Sequence, residues 1–334
     1  MALSTAITHL LGIDHPVLLA PMGGVAGGAL AGAVSAAGGL GLIGAGYADP
    51  ALGFGSDDWV RSEFGKAGNH AVGIGFITWA LERRPAALDH ALGFRPKAVM
   101  LSFGDVAPHA AKIRDAGAVL ICQVQTLRHA LAAAANGAQI IVAQGTEAGG
   151  HGADRATLPL VPAVVDAVAP VPVAAAGGIA DGRGLAAALM LGADAVLVGT
   201  RFWATREALG HANQKALIER SGGDDTLRTS AFDTARGIAW PEPYTGRAIR
   251  NAFADRWHER DDELRAEGEA MRERFFAAQR AGDTDTAVTF AGEGLDLIAD
   301  RPGAGELVRR IVDEAADALT AVPGRCLDPA PAGG

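Results

Sequence analysis

The chain has 334 residues, and its 38 acidic against 29 basic side chains leave a formal net charge of −9, which speaks against nucleic acid and against an anionic membrane surface as partners. Hydrophobic residues make up 49%, enough for a sizeable core, yet no apolar stretch reaches the ~18 residues that a bilayer span needs. His9, Asp14 and His15 interrupt the start of the chain before any leader-like apolar run develops, so a cytoplasmic location is expected.

Eight short apolar runs recur between Pro16 and Gly199, at 17–20, 40–44, 72–76, 99–101, 119–122, 140–143, 171–175 and 195–198. Their hydrophobicity is continuous rather than alternating, as in parallel strands buried on both faces. Helix-like stretches lie between them. Asp105 opens one in which Val106, Ala110 and Ile113 share a face and Gly117 is the stop. Thr126 opens another that closes at Asn136-Gly137, and Asp181 opens a third, with Leu185 and Leu189 a turn apart and Gly192 at its end. Strand–helix alternation through eight cycles predicts an α/β fold, a (β/α)₈ barrel over 1–202, in preference to an open doubly wound sheet.

After Arg201 the texture changes. Residues 203–281 are far more charged, with Phe253, Trp257, Leu264, Met271 and Phe275 near helical spacing, which predicts a helical insertion beside or over the barrel mouth. Residues 282–322 return to the barrel through the turn-rich Ala291-Gly292-Glu293-Gly294. A closing helix there carries Val308, Ile311, Val312, Ala315 and Leu319 on one face. The proline-bearing tail 323–334 is expected to be loose.

The 45 glycines are in phase with the strand ends, where backbone can approach a ligand closely. Barrels bind ligands at those ends, and three clusters stand there. The seventh and eighth runs end in Ala176-Gly177-Gly178-Ile179 and Gly199-Thr200-Arg201. Clustered backbone N–H groups suit a phosphate there, with Gly177, Gly178, Gly199 and Thr200 as the cradle. The sixth run ends in Gln144-Gly145-Thr146-Glu147-Ala148-Gly149-Gly150-His151-Gly152. An imidazole between glycines suits proton abstraction or hydrogen bonding to an oxyanion near neutral pH. The first run ends in Ala20-Pro21-Met22-Gly23-Gly24-Val25, a stiff turn followed by permissive backbone. Phe76, Trp79 and Trp203 are candidate walls of an apolar pocket. The histidines show no ligand spacing of the HExxH kind, so no metal site is expected. Cys122 lies within a strand and Cys326 near the tail, which fits a reducing compartment and disfavours a cysteine nucleophile.

Together these clusters make the chain resemble the nitronate monooxygenase family, formerly called 2-nitropropane dioxygenases, from Pro16 to roughly Leu319. QGTEAGGHG at 144–152 is the most specific piece, supported by APMGG, AAGGI and VLVGTRF. GFITWAL at 75–81, LSFGD at 101–105 and WPEPYTGRAIRN at 240–251 resemble a branch found in fungi and actinobacteria. The resemblance implies FMN held by backbone at Ala20, Pro21 and Met22, with its phosphate at Gly177, Gly178, Gly199 and Thr200, and Gly23 and Ala176 among the cofactor-binding residues. It implies Gly149 and Gly150 lining the cofactor after Gln144, Gln123 near the pyrimidine edge, and His151 as the catalytic residue. The implied reaction is oxidation of an alkyl nitronate or nitroalkane with O₂ to a carbonyl compound and nitrite. The alternatives are an FMN-dependent NAD(P)H:quinone reductase, an enzyme resembling enoyl-acyl-carrier-protein reductases, and a flavin-binding module without turnover. A homodimer is left open. Two positions depart from the family pattern: many relatives carry Asn at the end of strand three, where this chain has Gly75, and some carry Lys in place of Gln123.

Overall fold

A strand buried on both faces is apolar at every position, and the eight continuous runs become the eight staves of a barrel. The computed structural model describes residues 3–326. Its strands are β1 (Val17–Leu19), β2 (Leu42–Gly46), β3 (Gly73–Ile77), β4 (Ala98–Ser102), β5 (Val119–Val124), β6 (Ile140–Gln144), β7 (Gly150–Gly152), β8 (Val173–Ala176), β9 (Ala195–Val198), β10 (Thr226–Thr229) and β11 (Thr245–Ile249). Eight of them pair in parallel in the order β1-β9-β8-β6-β5-β4-β3-β2. A parallel bridge between Leu18 and Leu40 joins the two edges. There the Leu19 N–H donates to the Leu40 carbonyl and the Leu40 N–H to that of Val17. The sheet is a (β/α)₈ barrel.

Alternate residues of each strand divide between two cores. Leu18, Leu42, Met100, Ile121, Val142 and Leu197 fill the barrel interior, where Ile7 and Leu11 of the helix Ala6–Leu11 join them. Leu19, Ile43, Leu101, Cys122 and Ile141 face the surrounding helices. The helix starts read at Asp181 and Thr126 hold in side-chain detail, whereas Val106 is the cap of the helix Ala107–Asp115 and Asp105 stands one residue before it. The Asp181 carboxylate accepts from the Arg183 and Gly184 N–H groups, Thr126 from that of His129, and Asp105 from that of Ala107.

The segment after the barrel carries the expected helices, among them Ala212–Arg220, Ala231–Arg236, Ala252–Trp257, Asp261–Ala266 and Gly268–Ala281. Phe232, Phe253, Trp257, Leu264, Met271 and Phe275 form a small core of their own. It also holds two strands that the helical reading did not include. β10 and β11 form an antiparallel pair, and β11 pairs antiparallel with β7, setting Gly246 opposite His151. The composition of Thr-Leu-Arg-Thr and Thr-Gly-Arg-Ala-Ile hides them, because every strand of this small sheet is partly exposed and polar. The closing helix Ala304–Cys326 buries Leu307, Val308, Ile311, Val312 and Ala315. It runs through 323–326, the first residues of the tail expected to be loose, and 327–334 lie outside the described residues. No helix among the described residues is long and apolar enough to cross a membrane.

Candidate active site

The C-terminal ends of the barrel strands open into a cavity of about 490 Å³, within the range of small-molecule sites, roughly 300–1,000 Å³. Ala20, Pro21, Met22, Gly23, Gln123, Gln144, Gly149, Gly150, His151, Ala176, Gly177, Gly178, Gly199 and Thr200 all line it. Residues spread over some 180 positions of sequence are thus brought to one place. Phe76 and Trp203 are on its wall as well. Trp79 is not; it packs edge-on against Tyr47 and Trp240.

One side of the cavity is backbone. Gly177 and Gly178 have φ of +115° and +70°, a region that L side chains rarely adopt. The Thr200 hydroxyl accepts from the Gly292 N–H at 3.0 Å, which draws the 291–294 loop against the ends of β8 and β9. Gly292 and Gly294 therefore join the lining; the sequence marks them only as a turn. At Gly149 an added Cβ would lie 2.6 Å from both the Ala291 carbonyl carbon and the Gly292 nitrogen, so two loops meet here backbone to backbone. At Gly150 no atom lies within 4 Å of where a Cβ would sit, so a planar ring could come close to the main chain. Gly75 is explained by its neighbour: an added Cβ would fall 2.3 Å from Cγ of Pro21, whose ring fills the space beside the β3 main chain.

The other side is built from side chains. His151 lies on β7 with its side chain 9% exposed. Its Nε2 is 2.8 Å from Oδ2 of Asp233, and the second oxygen of Asp233 is paired with Arg236. Both partners belong to the short helix Ala231–Arg236, three residues apart. Trp240 stacks on the imidazole with centroids 3.5 Å apart and planes 9° from parallel, and Phe290 packs against the ring at 5.3 Å. Trp240 is anchored in turn by its Nε1–H, which donates to the Tyr47 hydroxyl at 2.8 Å. Among the described residues Nδ1 of His151 has no hydrogen-bond partner. Beneath the ring, Gln144 accepts from Gln123 and Gln125 and donates to the His151 carbonyl. Arg228 and Arg247 both donate to the Thr146 carbonyl, fastening the glycine loop to β10 and β11.

The charges follow from burial and pairing. Burial pushes His151 below the ordinary imidazole value; Asp233 works against that, while Arg236 and Arg228 reinforce it. Burial alone would raise the Asp233 carboxyl, but His151 and Arg236 outweigh it and hold the group below the usual carboxylate range. Asp233 and Tyr47 likewise keep Arg236 charged against its own burial. The Tyr47 hydroxyl is pushed up to about 12, chiefly by burial. At neutral pH the cluster is a neutral imidazole beside a carboxylate–guanidinium pair. Asp233, Arg236, Tyr47 and Trp240 were not among the residues singled out as site candidates; Trp240 enters only as part of the WPEPYTGRAIRN resemblance. Burial pushes the Cys122 thiol up to about 12, which leaves it inert.

The fold is shared with other solved structures. A solved structure of FabK from Thermotoga maritima superposes with a TM-score of 0.80 at 29% identity, covering 96% of this chain and 99% of that one. The nitroalkane oxidase of Streptomyces ansochromogenes gives a TM-score of 0.76 at 28% identity, covering 95% and 100%. The nitronate monooxygenase of Neurospora crassa is 34% identical over 347 aligned residues, 91% of this chain and 90% of that protein. The family model for nitronate monooxygenase matches residues 4–69 and 81–314. The chain belongs to the nitronate monooxygenase family, and it is a flavin-dependent enzyme of that family. The match skips 70–80, the segment that carries β3 and Gly75.

Proposed function

We propose that the chain holds FMN across the barrel mouth and oxidises alkyl nitronates, and nitroalkanes, with O₂ to a carbonyl compound and nitrite. The observation that carries this reading is one imidazole, set by a buried carboxylate and an indole, at a glycine-rimmed cavity in a chain of this family. The residues present suit the cofactor. Gly177, Gly178, Gly199 and Thr200 would hold its phosphate, with Ala176 beside them on the cavity wall. Ala20, Pro21, Met22, Gly23, Gly149 and Gly150 would border its rings, and the Gln123 amide, steadied by Gln144, would meet the pyrimidine edge. When bound, the flavin accepts electrons from the substrate and delivers them to O₂. His151 hydrogen-bonds the nitro oxygens or takes the α-proton. Phe76 and Phe103, both on the cavity wall, give the alkyl group an apolar surface, and the 203–281 segment covers the site. The partners are small molecules.

Purified protein should be yellow, release FMN on heating, and liberate nitrite from an alkyl nitronate in air. In anaerobic stopped-flow mixing, nitronate should bleach the flavin. A second reading, a flavin-dependent NAD(P)H reductase of quinones or enoyl thioesters, draws support from the FabK superposition, the higher-scoring of the two structures. It takes over if NADH bleaches the flavin rapidly and nitronate does not.

A further inference from the structure

His151 is constrained in two independent directions: Asp233 holds it in the plane of the ring at 2.8 Å, and Trp240 covers one face at 3.5 Å between centroids. An ionised carboxylate only accepts hydrogen bonds. Asp233 is kept ionised by Arg236, a side chain that only donates. The hydrogen between His151 and Asp233 therefore sits on Nε2, and in the neutral ring Nδ1 carries a bare lone pair. That atom can take a proton; it cannot donate one to a nitronate oxygen until it has done so.

We propose that Asp233 and Arg236 are positioning residues that fix His151 as a proton acceptor through Nδ1, so that the site deprotonates neutral nitroalkanes. This rests on the nitronate/nitroalkane reading above and narrows its substrate class to a carbon acid. In the step, the α-C–H proton moves to Nδ1. The C–H electron pair becomes the C=N bond of the nitronate, whose negative charge rests on the two oxygens. The imidazolium formed faces the Asp233 carboxylate. Arg236 tempers that carboxylate, so His151 is not already protonated before substrate arrives. Besides these two, Arg228 is the charged group that acts on the ring, and it too opposes early protonation.

Asp233→Asn makes the proposal testable without a large change of shape. Arg236 needs an acceptor, so the new amide would turn its oxygen to Arg236 and its NH₂ to Nε2. The imidazole hydrogen would then move to Nδ1, converting the acceptor into a donor. In ¹⁵N-histidine NMR spectra of the flavin-loaded, oxidised protein, wild-type His151 should be protonated at Nε2 and bare at Nδ1, and the variant should show the reverse. The ratio of kcat/KM for nitroethane to that for ethyl nitronate should fall on the order of 10²-fold or more in the variant. A wild-type spectrum with the hydrogen on Nδ1 overturns the proposal, even if the variant does not fold. So does a variant in which both substrates lose the same factor, the mark of a merely structural role. Wild-type protein that oxidises neither substrate sinks the functional reading instead, and the spectrum alone then decides what Asp233 does.

Discussion

The strand ends of the barrel meet the cavity with Gly150, Gly177, Gly178 and Gly199, whereas the segment that follows meets it with Arg236, Trp240 and Phe290. On the barrel side much of the contact surface is main chain, fixed by the strands themselves and by close loop-to-loop packing, with Phe76, Phe103, Gln123 and Gln144 among it. On the other side it is charge and aromatic surface, supplied by a layer with its own small core. Backbone suits an unvarying requirement such as a phosphate tail; side chains suit a reaction that must be specified. His151 sits at the seam, on a strand of the glycine loop paired to β11 of the following segment.

The largest test of this division is His151→Ala. Turnover of nitroalkane should fall on the order of 10²–10⁴-fold while the absorbance spectrum still shows bound flavin. Loss of the flavin along with the activity would mean that the two sides cannot be separated. Gly149→Ala probes the backbone side. Its Cβ would meet two main-chain atoms at 2.6 Å, so a loss of about 3 kcal/mol is expected. It would be read as a lower thermal midpoint together with easier release of flavin, and an unchanged midpoint would show that the 291–294 loop yields freely. The smallest effect is expected at Tyr47. In the unfolded chain its hydroxyl ionises near 10, in the folded protein near 12, so its contribution is complete below pH 10 and disappears as pH rises through 12. Denaturant titrations across that window should lose at most about 2 kcal/mol from this group, and Tyr47→Phe should flatten the slope. An equally steep slope in the variant would place the alkaline transition elsewhere.

The barrel was legible because its strands are buried on both faces, leaving unbroken apolar runs whose ends coincide with glycines. Those same ends put all fourteen site candidates on one cavity. Boundaries moved by a residue or two, as for the run 40–44, which becomes Leu42–Gly46, because hydrophobicity does not mark where ladder pairing starts. The His151 partners were harder to see. Asp233 lies 82 residues further along the chain, on a helix of six residues within a charged stretch, where one more Asp and one more Arg look like solvated surface. Only the β7–β11 pairing reveals that this stretch is folded back onto the glycine loop. Tyr47 is silent for a similar reason: its role depends on an indole 193 positions away.

The proline ring of Pro21 lying where Gly75 has no side chain has a consequence for engineering. The two positions are coupled, so a side chain introduced at 75 on β3 alone would be driven into the turn that borders the cavity. Protein libraries that vary both sites together should recover folded sequences that single exchanges miss.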